Sequence, residues 1–141
     1  MEDYNFSYKV RLDDLDYMGI VGNSHWMIFL ERARIDLLEQ INFSFSEMKK
    51  QKIGGVVAES NIKFLRPAFF DDQLEITIRP HSLFSKGFIL NYKVKNQKNI
   101  ECLSAEITMI FVDFDGKSIK IPDGIRNKLF DVLIGDDDGK I

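Results

Sequence analysis

The chain has 141 residues, 45% hydrophobic and 29% charged, enough to bury the core of one ordinary domain without a disulfide or metal staple. A net charge of −3 argues against nucleic acid as the main partner, because phosphate binding needs clustered Lys and Arg. Cys102 is the only cysteine, which excludes an intramolecular disulfide and a cysteine metal cluster.

The N-terminus opens acidic (Met1-Glu2-Asp3), with no basic segment leading into an apolar run, so no signal peptide is expected. No apolar stretch approaches the roughly 20 residues that a membrane-spanning helix needs. The expected location is the cytoplasm. Residues 6–12 then alternate, Phe6, Tyr8, Val10 and Leu12 against Ser7, Lys9 and Arg11, which predicts a half-buried strand. A glycine-punctuated loop follows from Asp13 to Gly22. From Ser24 to about Gln40 the period becomes helical: Trp26, Phe29, Leu30, Ala33 and Leu37 form one stripe, with Asn23 or Ser24 as N-cap. A looser stretch covers 41–52.

Period two returns after Gly54-Gly55. Strands are predicted over Val56–Leu65, ended by Arg66-Pro67, and around Leu74, Ile76 and Ile78. Two more follow, one around Phe88, Leu90, Tyr92 and Val94 and one from Cys102 to Val112. Asp115-Gly116 reads as a turn into a short strand near 117–121. Pro122 opens a final amphipathic segment, and residues 135–141 read as a frayed acidic tail after a single domain spanning 1–134. A strand, one long helix and a run of antiparallel strands make an α+β fold. One helix leaves much of such a sheet uncovered, which predicts a homo-oligomer.

The densest polar constellation is the stretch from Asp13 to Trp26. Three carboxylates, Asp13, Asp14 and Asp16, precede Gly19, Gly22 and a helix start. The unpaired N–H groups and positive dipole end of a helix suit an oxyanion or a polarised carbonyl. A carboxylate beside them is equipped to hydrolyse an ester or thioester. On spacing alone, an acidic loop before a helix is more often a solvated turn.

The residues Asp14-x-Asp16-x-x-Gly19-x-Val21, then Asn23, Trp26 and Phe29-x-Glu31-x-Ala33-Arg34, resemble the signature of the 4-hydroxybenzoyl-CoA thioesterase family. That family includes the short-chain acyl-CoA thioesterases associated with the Tol–Pal system. Ile62-x-Phe64-Leu65-Arg66-Pro67-Ala68-x-x-Asp71-Asp72-x-Leu74-Glu75-Ile76 is similar to its second block. The resemblance implies a hotdog fold, a curved antiparallel sheet wrapped around the long helix. It implies homodimers, often paired into homotetramers, with the acyl site at the dimer interface. It also implies an acyl-CoA thioesterase with Asp16 as the catalytic carboxylate, attacking the thioester or activating water. The backbone N–H of Asn23 would polarise the carbonyl, and Gly19 would allow the tight backbone path between them. Tyr17, His25, Trp26, Glu59, Lys63 and Arg66 are the candidate substrate contacts. No metal or cofactor is implied, since CoA belongs to the substrate. Some relatives carry His or Tyr in place of Asn23, and Tyr in place of Leu12 and Trp26. A backbone oxyanion contact survives the first change, and an acid–base side chain does not.

Two readings stand for several of these residues. Lys63, Arg66 and Arg79 either meet CoA phosphates or are ordinary surface. Glu59 is a candidate to orient a group near the acyl pocket, although a strand Glu is by default solvent-facing. His25 contacts substrate or is an ordinary helix histidine. His25 and His81 are too far apart in sequence to suggest a metal site. Ile110 to Gly116 resembles the nucleophile strand of haloacid-dehalogenase phosphatases, but too little chain follows for their parallel domain, and a hairpin turn fits better. Asp136-Asp137-Asp138-Gly139 lacks the downstream Glu of a calcium loop. Cys102 alternates within a strand and reads as packed. The rival functions are a non-catalytic acyl-CoA-binding protein and a thioesterase acting on acyl-carrier-protein substrates.

Overall fold

A computed structural model describes residues 3–130. The expected domain end at 134 and the acidic tail at 135–141 lie outside the described residues. In chain order the elements are β1 (Tyr4–Lys9), a 3-10 turn (Leu12–Asp14), α1 (Asn23–Gln40), α2 (Phe45–Lys50), β2 (Ile53–Phe64), β3 (Gln73–Phe84), β4 (Gly87–Lys95), β5 (Glu101–Asp113) and α3 (Asp123–Leu129). The strands form one antiparallel sheet in the order β1-β3-β4-β5-β2, so β1 and β2 are its two edges. One long helix against an antiparallel sheet is the α+β hotdog arrangement expected from the sequence.

The periodicities become packing directly. Phe29, Leu30, Ala33 and Leu37 of α1 are fully buried, as are Leu74, Ile76, Ile78, Leu90 and Val94 on the facing side of the sheet. At roughly 1.5–3 kcal/mol for each large side chain, this burial rather than intrinsic helix propensity docks α1. Tyr8 of β1 packs against Phe29 with the rings tilted and their centroids 4.4 Å apart. α1 packs over β1 and β3 and barely touches β2. α3 closes the far end through Ile125, Leu129 and the adjoining Phe130, whose ring lies 5.6 Å from that of Phe88.

Register breaks between Val57 and Glu59, where Ala58 is the extra residue of a bulge, and again between Pro80 and Ser82. Each bulge increases the local twist and reverses which side of the strand faces inward. On β2, Gly55 and Val57 pair with inward-facing Phe111 and Met109; beyond the bulge the inward positions are Ser60, Ile62 and Phe64, opposite Ile107, Ala105 and Leu103.

Several boundaries differ from the sequence expectation. β1 covers 4–9 rather than 6–12, because the chain turns at Leu12–Asp14 and leaves Leu12 largely exposed. The helix cap is Gly22, with Asn23 as the first helical residue. The loose 41–52 stretch contains α2, whose Ser44 hydroxyl accepts from the Glu47 N–H at 3.1 Å. β2 starts at Ile53, and the strand expected near 117–121 is a single bridge from Val112 to Ser118.

Gly87 opens β4 after a tight hairpin, and a Cβ there would collide with the Met109 carbonyl. Gly87→Ala is expected to lower unfolding free energy by about 2 kcal/mol or more, read from the urea midpoint at constant m. An unchanged midpoint would show that the β4–β5 pairing has slack the structure does not display.

Candidate active site

The acidic loop is held by Asp14, not by Asp16. Asp14 is 5% exposed, and its Oδ2 accepts from the Tyr8 hydroxyl at 2.7 Å and the Arg11 N–H at 2.8 Å. Its carbonyl accepts from the Gly22 N–H at 3.0 Å, which fixes the residue just before α1. Burial and the Asp14 carboxylate both push the Tyr8 phenol up, so it stays the protonated donor this contact requires. The Arg32 guanidinium lies over the Tyr8 ring, 5.6 Å from its centroid.

Asp16 occupies the tip of the turn that Asp14 anchors. Its N–H donates to the Ile20 carbonyl at 2.8 Å, and its carbonyl accepts from the Gly19 N–H at 3.0 Å. Gly19 has φ +79°, which favours glycine over any residue with a Cβ. The Asp16 Oδ1 accepts from the Met18 N–H at 2.8 Å and more weakly from the Ile20 N–H at 3.5 Å. Its Oδ2 has no hydrogen-bond partner among the described residues. One oxygen is therefore oriented by backbone donors and the other is available. A methyl group on Gly22 would stand 3.8 Å from Asp16 Cβ and 3.7 Å from His25 Nδ1, so the carboxylate and the imidazole flank the helix start. The Asn23 and Ser24 N–H groups, first in α1, make no hydrogen bond among the described residues.

The two motif blocks meet here. The Val21 N–H donates to the Ala68 carbonyl at 2.9 Å, and Ile20 bridges to Phe69. Between them lies a cleft of about 420 Å³, with Asp16, Asn23 and Trp26 on one side and Phe64, Leu65 and Arg66 on the other. Trp26 is 4% exposed and packs edge-on against Phe29, with ring centroids 5.7 Å apart. The Arg66 guanidinium donates to the Leu65 carbonyl at 2.7 Å at the exposed rim.

The remaining candidates are placed unevenly. His25 is half-buried beside the cleft, and Tyr17 is almost fully exposed at the turn tip. Glu59 and Lys63 are not brought into the cleft. They pair with Thr108 and Ser104 on the outer face of the sheet, because the Ala58 bulge moves odd-numbered positions outward. Lys63 instead borders a shallow outer depression with Lys93 and Glu106, and Arg79 forms a surface ion pair with Asp3 at 2.7 Å. Phe64 and Leu65, which were not singled out as site residues from the sequence, form the cleft's apolar wall. Their sequence signals are the strand ending at Arg66-Pro67 and their place in the second motif block. Cys102 is buried, and burial pushes its thiol up, as befits a packed cysteine. Among the described residues, no group of three His, Cys, Asp or Glu is arranged to hold a metal ion, and no helix is long and apolar enough to cross a membrane.

Residues 10–129 match the model of a family described as the thioesterase-like superfamily, a span that includes both blocks and the whole cleft. The chain belongs to the thioesterase-like superfamily. It is 34% identical over 123 residues to the long-chain acyl-CoA thioesterase FadM of Escherichia coli K12, covering 86% of this chain and 92% of that one. It is 26% identical over 110 residues to the acyl-CoA thioester hydrolase YbgC of Escherichia coli O6:H1, covering 78% and 82%. The fold superposes on the crystal structure of Slr0204, a 1,4-dihydroxy-2-naphthoyl-CoA thioesterase from Synechocystis, with TM-score 0.86 at 16% identity, covering 94% and 98%.

Removing the Asp14 carboxylate strands a half-buried phenol and a backbone N–H. Asp14→Ala is expected to cost about 2–4 kcal/mol, seen as a clear fall in Tm, whereas Asp13→Ala at its exposed neighbour stays within about 0.5 kcal/mol. Equal effects at the two positions would contradict the anchoring role of Asp14.

Proposed function

We propose that this protein is a cytoplasmic acyl-CoA thioesterase in which Asp16 and the Asn23 N–H act on opposite sides of the thioester. Membership of the thioesterase-like superfamily, with FadM and YbgC as relatives, makes the chain a thioester hydrolase. The observation that supports the assignment of roles is the cleft itself. It joins a carboxylate with one free oxygen to the unpaired first N–H of an 18-residue helix.

In this reading the thioester carbonyl accepts from the Asn23 N–H, whose helix dipole favours the developing oxyanion. The Asp16 Oδ2 then serves in one of two ways. It attacks the carbonyl carbon, expelling CoA thiolate and leaving an anhydride that water hydrolyses, or it takes a proton from a water that attacks directly. Both routes yield a free acid and CoA and call on no metal or added cofactor. Trp26 and the Phe64–Leu65 wall bracket the acyl group next to the carbonyl. Arg66 at the rim is the candidate partner of a CoA phosphate. Support for a homodimer or homotetramer comes from β2, an edge strand of 12 residues whose Val56 and Val57 are both about half exposed.

Asp16→Ala and Asp16→Asn are expected to keep the wild-type unfolding midpoint while kcat falls at least a hundredfold, measured by thiol release from acyl-CoA. Wild-type turnover in Asp16→Ala would remove the carboxylate from the mechanism. Stoichiometric acyl-CoA binding with no thiol release by the wild-type protein would favour a holding or sensing role instead.

A further inference from the structure

His25 is the one titratable side chain on the first two turns of α1, and the roles given to Asp16 and Asn23 leave it unused. Its ring is half-buried and makes no hydrogen bond or ion pair among the described residues. Its direction follows from helix geometry. Side chains of an α-helix lean toward the N-terminus, and positions three apart share a face, so His25 leans back over Gly22. The backbone agrees, since the His25 N–H donates to the Gly22 carbonyl at 3.0 Å.

Three groups converge on Gly22. A methyl group there would stand 3.7 Å from the His25 Nδ1, 3.8 Å from the Asp16 Cβ and 3.9 Å from the Asp14 carbonyl oxygen. Residue 22 has no side chain of its own, so bare backbone separates the imidazole from the carboxylate. Asn23 follows directly, and a carbonyl held by its N–H lies beside the same stretch of backbone. Asp14 commits its carboxylate to Tyr8 and Arg11, whereas Asp16 keeps Oδ2 open. The other charged groups stand apart: α1 carries none before Glu31, and Arg66 belongs to the opposite wall of the cleft.

We propose that His25 accepts the proton of the water consumed in hydrolysis, through a water resting over the bare Gly22 Cα. The proposal rests on the thioesterase reading and adds a residue to it. A water at that place has the imidazole nitrogen, the Asp14 carbonyl and the Asp16 carboxylate as polar neighbours, enough to order it. An imidazole exchanges a proton near neutral pH, which other unperturbed side chains do not. In the anhydride route Asp16 is covalently occupied and cannot act as the base. There the water oxygen bonds to the acyl carbon and its proton passes to the imidazole. The C–O bond to Asp16 breaks, and its electron pair returns to the carboxylate. In the direct route Asp16 takes the water proton, and the C–S bond breaks with its pair on the CoA thiolate. The Oδ2–H proton then passes to the imidazole, and that pair stays on Oδ2. In both routes the imidazolium releases its proton to solvent, to which the half-buried ring is open.

The test measures kcat, KM and Tm for His25→Ala, His25→Gln and Gly22→Ala, using the best of butyryl-, benzoyl- and palmitoyl-CoA. His81→Ala is the matching change at an exposed histidine on β3. His25→Ala and His25→Gln are expected to lower kcat about a hundredfold, with KM within about twofold and Tm unchanged. Added imidazole restores much of kcat in His25→Ala and has no effect on His81→Ala, which turns over at the wild-type rate. Gly22 has φ −70° and ψ 152°, which alanine adopts freely, so Gly22→Ala keeps the fold while its methyl displaces the water. Its kcat is expected to fall about tenfold. A raised KM with wild-type kcat in the His25 variants makes the residue a substrate contact and overturns the proposal. A loss of kcat that imidazole does not restore makes it structural, with the same consequence, and wild-type kcat in Gly22→Ala overturns the route over the backbone. Should His25→Ala unfold, His25→Gln decides by the same split between kcat and KM. In each of those cases Asp16-dependent thiol release leaves the thioesterase reading standing. No thiol release by the wild type from any of the substrates removes both.

Discussion

A buried carboxylate sets the geometry on which the site depends. Asp14 binds the end of β1 through Tyr8, the turn through Arg11, and the start of α1 through Gly22. The first two reach the carboxylate, and hydrogen bonds to a charged acceptor contribute roughly 1.5–3 kcal/mol each, whereas Gly22 donates to the Asp14 backbone carbonyl. With both ends of the loop fixed, the segment from Leu15 to Val21 has little freedom. The positive φ at Gly19 lets it reverse and bring Asp16 back beside the helix start. The first aspartate of the motif is thus a brace that positions the second.

The same division of labour extends to the helix. The buried face of α1, Phe29, Leu30, Ala33 and Leu37, seats it over β1 and β3, leaving its first N–H groups without intrahelical acceptors at the mouth of the cleft. Because the helix sits off-centre, the inner face of β2 lacks a cover. An exposed apolar strand face is a solubility cost in a lone chain, and the cost is offset if a second subunit covers it.

Much of the fold was legible in the sequence because its signals are periodic. The stripe from Trp26 to Leu37 and the alternation of Leu103 to Phe111 follow from side-chain geometry alone, and both were read in the right place. Features that depend on a single residue were harder to see. Nothing in Val56–Leu65 marks Ala58 as a bulge, yet that extra residue turns Glu59 and Lys63 away from the cleft. The helix α2 was missed although Ser44 stands three residues before Glu47, a capping pattern obscured by the short, mixed segment that follows. The motif singled out Asp16, Gly19, Asn23, Trp26 and Arg66, and all of these except Gly19 line the cleft. The distinction between a bracing Asp14 and an exposed Asp16 was not legible, because burial depends on where Tyr8 lands.

In the proposed mechanism the thioester lies between the Asp16 carboxylate and the Asn23 N–H. The most direct measurement is a crystal structure of Asp16→Asn protein soaked with a slowly hydrolysed acyl-CoA. The expected result is a thioester carbonyl oxygen about 2.7–3.1 Å from the Asn23 nitrogen, with the residue 16 side chain facing the carbonyl carbon. A thioester bound outside this cleft, or a carbonyl directed away from the start of α1, would contradict it.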